Sequence, residues 1–177
     1  RGLGDVYKRQ LQGVLAGDLD ENTIGECELL LVALYPEVTM EYLERMAPYI
    51  PGTTLVMDCC GVKQEVCKVG FRLAEQYGFT FVGGHPMAGK ERSGFDASEA
   101  SLFYNASYIL VPGEAPQSAT DTLVSLAKSM GFGTIKYCTQ QKHDRMIAYT
   151  SQIPHVLACA YVMSPRCDEH SGFSAGS

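Results

Sequence analysis

A chain of 177 residues suits one domain, or one with part of a second, and is long enough to bury a core. At 46% hydrophobic and 19% charged residues it is neither disordered by composition nor greasy enough to require lipid, and no apolar stretch reaches the roughly 18 residues of a membrane span. Fourteen Lys and Arg against 20 Asp and Glu leave a net charge of -6 with no basic run, so neither nucleic acid nor an anionic membrane is an expected partner.

Residues 1–10 (RGLGDVYKRQ) read as a translated sequencing-adapter scar and are set aside from the fold. Residues 29–35 (LLLVALY), closed by Pro36, form a short apolar run that fits a strand buried on both faces. Leu43, Met46, Ala47 and Ile50 then recur at helical spacing until Pro51-Gly52, and residues 54–57 resume as a strand ending at Asp58. Val62, Val66, Val69, Leu73 and Tyr77 mark a second helix with Gly78 at the place of a left-handed cap, and residues 79–82 (FTFV) a third strand. After a long segment over 83–105, residues 108–111 (YILV) predict a strand, Ala119 to Met130 a helix ended by Gly131, and residues 134–138 a fifth strand. This alternation implies an α/β fold with a doubly wound parallel sheet and right-handed crossovers. From about Gln140 to Met163 the spacing is helical and no strand follows, with a kink expected at Pro154, so an all-helical domain is expected to begin there. The domains are therefore 11–139 and 140–177, the second closing in a Gly/Ser-rich segment that reads as cut mid-domain.

The seven cysteines make neither a CxxC pair nor a repeated framework, which favours reduced thiols and a cytoplasmic location. Cys167 and His170 have ligand-like spacing but lack a second pair, so no metal site is expected. Cys59 and Cys60 invite a nucleophile reading, against which buried structural thiols are the commoner case.

Ligands of an open α/β sheet bind outside the carboxyl ends of its strands. Three such ends carry unusual residues here: Leu34-Tyr35-Pro36, Asp58-Cys59-Cys60-Gly61, and residues 83–94 (GGHPMAGKERSG). The glycines around His85 allow close backbone approach to a ligand and Pro86 fixes the exit, so the imidazole would be held with little freedom, as a general base requires. With an ordinary pKa near 6.5 such a His accepts a proton at neutral pH. The structural alternative is a His bonded to a loop carbonyl.

Taken together, GGHPMAGKERSG at 83–94, Leu102-Phe103 with YILVP at 108–112, His143-Asp144-Arg145, and SQIPH at 151–155 resemble the prephenate dehydrogenase family over roughly residues 20–177. The resemblance implies a Rossmann-like fold and NAD- or NADP-dependent oxidative decarboxylation of prephenate to 4-hydroxyphenylpyruvate in tyrosine biosynthesis. On the matching positions it implies that His85 is catalytic, bonding the ring hydroxyl and taking its proton. It further implies that Lys90, Glu91, His143, Gln152 and His155 bind substrate, and that Leu34, Tyr35, Pro36, Asp58, Cys60 and Gly61 line the nicotinamide end of the crevice. The family's glycine fingerprint would fall upstream of the chain, leaving the sheet incomplete by its first βαβ unit. A carboxylate-clamping Arg and dimer-forming helices would fall downstream, so the parent is expected to be a homodimer and this chain alone nearly inactive. Arogenate dehydrogenase is the close enzymic alternative, and a non-catalytic α/β binding module the alternative of a different class.

Overall fold

The computed structural model describes residue 13, residues 16–90, residues 95–167 and residue 169. The scar assigned to residues 1–10, Glu91, and the closing segment from His170 lie outside the described residues.

The elements follow the apolar punctuation. They run β1 (Leu29–Val32), α1 (Pro36–Met46), β2 (Leu55–Asp58), α2 (Gln64–Tyr77), β3 (Thr80–Pro86), β4 (Ser107–Val111), α3 (Gln117–Ser129) and β5 (Thr134–Tyr137). Pro36 opens α1 at a position whose N–H has no intrahelical partner in any case. Gly78 (φ 87°) and Gly131 (φ 89°) take the left-handed conformation that turns the chain out of α2 and α3.

Among the described residues the strands form one sheet in the order β1-β2-β3-β4-β5. Three of its pairings are parallel, but β4 runs antiparallel to β3, with His85 opposite Ile109 and Pro86 opposite Tyr108. The expectation of a wholly parallel sheet is thus corrected at one junction. A parallel connection needs a crossover of a dozen or more residues, usually a helix. Between β3 and β4 the described residues contain no α-helix, only the short 3-10 turn Phe95–Ala97, and the chain returns beside the strand it left. The third strand is also longer than its apolar run, continuing through Gly83, Gly84 and His85 to Pro86. His85 therefore stands on a strand end held by the sheet rather than in a loop.

The sheet is covered on both faces. Val56 of β2 packs on one side with Leu43 and Met46 of α1 and Leu73 of α2, while Leu55 and Met57 pack on the other with Leu123 and Ala127 of α3. Period-two alternation within β2 thus feeds two cores, which is why its run is apolar throughout. Each fully buried aliphatic side chain of these layers contributes roughly 1.5–3 kcal/mol.

Beyond β5 the chain is helical: α4 (Gln140–Ile147), a π-helical turn at Ala148–Gln152, and α5 (Ile153–Val162). Thr139 caps α4, its hydroxyl accepting from the Lys142 amide at 3.3 Å. The expected interruption at Pro154 takes the form of that π turn directly before it, since proline has no N–H to give the preceding turn. None of the residues of α5 is buried, and Val156, Leu157 and Tyr161 stand exposed on it. Among the described residues no helix is long and apolar enough to cross a membrane.

Candidate functional site at the carboxyl edge of the sheet

Because β1, β2 and β3 are parallel and in register (Val32 beside Asp58, Asp58 beside Gly83), their carboxyl ends share one edge of the sheet. After β1 the chain carries exposed Leu34 and Tyr35 and enters α1 at Pro36. After β2 it makes a tight turn through Cys59, Cys60 and Gly61 to Lys63, just before α2. The end of β3 brings up His85.

The turn is built around a buried charge. Asp58 is fully buried, and its carboxylate accepts the Cys60 amide at 2.9 Å, the Gly84 amide at 3.2 Å, and the Lys63 ammonium, which is itself fully buried. One side chain therefore fixes the turn, neutralises Lys63 and ties β3 to β2. Asp58 is turned inward, whereas Gly61 is open at the surface. Gly84 is needed for this closeness: a Cβ there would lie 2.6 Å from the Asp58 carbonyl oxygen and 2.8 Å from the Met57 sulfur. Gly84→Ala is expected to cost about 1–3 kcal/mol through this clash, read as a lowered urea midpoint with unchanged m-value.

The neighbouring thiols lack the lowered pKa of an activated nucleophile. Burial pushes the Cys59 thiol up to about 11, with the Asp58 charge adding to it. Burial likewise raises the Cys60 thiol, which contacts the Thr39 hydroxyl at 3.3 Å.

His85 is half-buried, and its Nδ1 lies 2.8 Å from Nε2 of His143 on α4. His143 is 1% exposed, and its Nδ1 lies 2.7 Å from Oδ1 of Asp144. The Asp144 carboxylate also accepts the backbone amides of Lys63 at 2.7 Å and Gln64 at 2.9 Å. It thereby caps α2, whose own N-cap residue Lys63 supplies no side-chain bond. Three segments distant in sequence thus meet in a line from the start of α2, through His143 and Asp144 of α4, to the end of β3. The far nitrogen of His85, Nε2, has no hydrogen-bond partner among the described residues. It lies beside Gly61, where an added Cβ would stand 3.6 Å away, an ordinary van der Waals contact.

Burial, then the charges of His143 and Lys63, push His85 down to about 4. Burial also lowers His143, against the opposing pull of Asp144. Burial alone would raise Asp144, but the Gln64 amide, His143 and the Lys63 amide outweigh it and hold the carboxyl below its usual range. At neutral pH the line consists of two neutral imidazoles ending on a carboxylate.

The other sequence candidates are dispersed. His143 joins His85; it is buried and both its nitrogens are engaged, one by His85 and one by Asp144. Gln152 and His155 are exposed on the π turn and α5, with no hydrogen bond to His85 among the described residues. Lys90 is paired with Glu99 at the surface. Glu91 lies outside the described residues. Sequence reasoning missed Lys63, for which a lone charged residue before a helix gives no signal, and the role of Asp144, whose adjacency to His143 was its only mark.

The sequence model described as "Prephenate dehydrogenase, nucleotide-binding domain" matches residues 6–135. The chain is 32% identical over 141 residues to the prephenate dehydrogenase of Bacillus subtilis (strain 168), a match covering 78% of this chain and 38% of that protein. The chain belongs to the prephenate dehydrogenase family. A cyclohexadienyl dehydrogenase of Zymomonas mobilis is 29% identical over 140 residues, covering 78% of this chain and 46% of the relative. The chain therefore spans less than half the length of these curated relatives. In fold it is similar to Synechocystis arogenate dehydrogenase, with a TM-score of 0.81 at 23% identity over 99% of this chain and 65% of the other. It is also similar to Aquifex aeolicus prephenate dehydrogenase in complex with hydroxyphenyl propionate and NAD+, with a TM-score of 0.79 at 23% identity over 97% of this chain and 62% of the other. These likenesses establish the Rossmann-like frame that the element order predicts.

Proposed function

We propose that the full product of the gene encoding this chain is an NAD(P)-dependent dehydrogenase that converts prephenate to 4-hydroxyphenylpyruvate by oxidative decarboxylation. The observation that carries this reading is His85 at the carboxyl edge of the sheet, its Nε2 without a hydrogen-bond partner among the described residues, in a chain of the prephenate dehydrogenase family. Such a nitrogen suits a general base for the ring hydroxyl of prephenate. As the proton passes to Nε2, the carbon bearing the hydroxyl gives up hydride and the ring carboxylate leaves as carbon dioxide, so the ring becomes aromatic as a phenolate, which then takes the proton back from Nε2 to give the phenol. Aromatisation drives the step, and what the protein has to supply is position and a proton acceptor.

In this reading the nicotinamide lies on the surface beside His85. Exposed Leu34 and Tyr35 would offer apolar contact and exposed Gly61 an uncovered backbone for a flat ring, with Pro36 and Cys60 in the same two strand-end turns. When bound, the cofactor supplies the hydride acceptor. The same reading has Lys90, Glu91, Gln152 and His155 contribute to the substrate pocket of the full product. It also includes a homodimer, favoured by the exposed apolar residues of α5, and a reducing cytoplasmic setting, favoured by seven free thiols.

The test is a steady-state assay of the full gene product with prephenate or arogenate and with NAD+ or NADP+, following the reduced nicotinamide and the aromatic product. Turnover of prephenate in the ordinary range of about 1–10³ s⁻¹ is expected. Preference for arogenate would reassign the substrate, and absence of reduction with both would overturn the reading in favour of a binding module.

A further inference from the structure

We propose that His143 and Asp144 are positioning residues that hold His85 in the tautomer with the proton on Nδ1, leaving Nε2 as the proton acceptor. This rests on the reading of His85 as the base, and it assigns His143 to the base rather than to the substrate.

Asp144 receives two backbone N–H groups, from Lys63 and Gln64, and an ionised carboxylate can only accept. The contact of 2.7 Å to His143 Nδ1 therefore requires the proton on that nitrogen. A neutral imidazole carries one N–H, so Nε2 of His143 is an acceptor. The contact of 2.8 Å to His85 Nδ1 then requires the proton on His85 Nδ1. His85 Nε2 is left with its lone pair free, on the side facing Gly61. Each choice forces the next, and the first is forced by the capped helix. The arrangement has the logic of a catalytic triad extended by one imidazole.

The same line serves the next moment of the reaction. Once Nε2 has taken the hydroxyl proton, His85 is an imidazolium with both nitrogens protonated. Its Nδ1 proton already points at His143 Nε2, and the positive charge is shared along the line toward Asp144. The titratable groups around this line are Asp144 and neutral His143 from α4, and Lys63 with its partner Asp58 from the turn between β2 and α2. Lys63 opposes a cation at His85, Asp58 neutralises Lys63, and Asp144 supplies the counter-charge.

The decisive measurement is the tautomer of His85 in the purified chain, read from long-range ¹H–¹⁵N correlation spectra of its imidazoles at pH 7. Assignment comes from one-at-a-time His→Gln substitution of the four histidines. The expected result is a bare Nε2 and a protonated Nδ1 on His85. In His143→Phe the acceptor is gone and the His85 proton should move to Nε2 in most molecules. In His143→Gln the side-chain carbonyl can accept in place of Nε2 and should restore the original tautomer. A purely structural role for His143 would leave the His85 tautomer unchanged in His143→Phe, which overturns the proposal. Should His143→Phe not fold, the wild-type spectrum still decides, because a protonated Nε2 on His85 refutes it.

In the full gene product, His143→Phe should lower kcat at least tenfold with little change in KM for prephenate. A raised KM at unchanged kcat would return His143 to substrate binding and sink the positioning role. Failure of the wild-type product to turn over prephenate would instead strike the proposed function, and the tautomer spectrum would remain valid on its own.

Discussion

His85→Asn is expected to lower kcat for prephenate oxidation by about 10²- to 10⁴-fold, the contribution of a positioned general base, while KM changes little. Asparagine is the informative replacement because its amide can still donate toward His143 Nε2 as His85 Nδ1 does, so the line to Asp144 keeps its partner while the free nitrogen facing Gly61 is lost. The pH dependence carries the second half of this expectation. A base works deprotonated, and an unperturbed His would lose half its activity near pH 6.5. Burial, reinforced by His143 and Lys63, moves His85 down to about 4, so the acid limb of kcat/KM should fall near pH 4 and the rate should stay level from about pH 5 upward. Steady-state kinetics of both proteins between pH 4 and 8 check it. An unimpaired His85→Asn enzyme would remove His85 from the chemistry and favour the binding module.

Lys63→Met should destabilise the fold by about 3–5 kcal/mol, the effect of stranding one partner of a buried ion pair. Asp58 and Lys63 are both fully buried, and the carboxylate would keep the Cys60 and Gly84 amides but lose its counter-charge. The pair itself is not expected to be a large net source of stability, because desolvation of two charges offsets most of their attraction. The Asp58→Leu/Lys63→Met double variant should therefore recover part of the loss. Urea unfolding of the four proteins of the cycle measures the coupling. Equal stability of the wild type and the Lys63→Met variant would show that Lys63 reaches water. The role of the pair is positional: it holds the turn that leads to Gly61 and ties Gly84, the residue before His85, to β2.

Much of this was legible one residue at a time. The apolar runs at 29–35 and 54–57 marked β1 and β2, and Gly78 marked the end of α2 before any contact was known. The glycines at 83 and 84 and the proline at 86 misled, because such residues ordinarily punctuate loops. In β3 they permit close packing on Asp58 and Met57 and pairing with β4. Lys63 carried no signal, since nothing in its neighbourhood along the chain shows that Asp58 turns inward to meet it.

The sequence by itself determined the kind and order of the elements, the motif residue His85 and, through its motifs, the family, because propensity, hydrophobic period and local motifs are properties of neighbouring residues. The tertiary structure decided that β4 runs against β3, since an apolar strand carries no mark of its direction and only the missing crossover helix sets it. It also decided the line His85–His143–Asp144, whose first contact joins residues 58 apart in the chain. Which nitrogen of an imidazole carries its proton depends on what that imidazole touches, and that contact exists only once the helical region has docked against the start of α2.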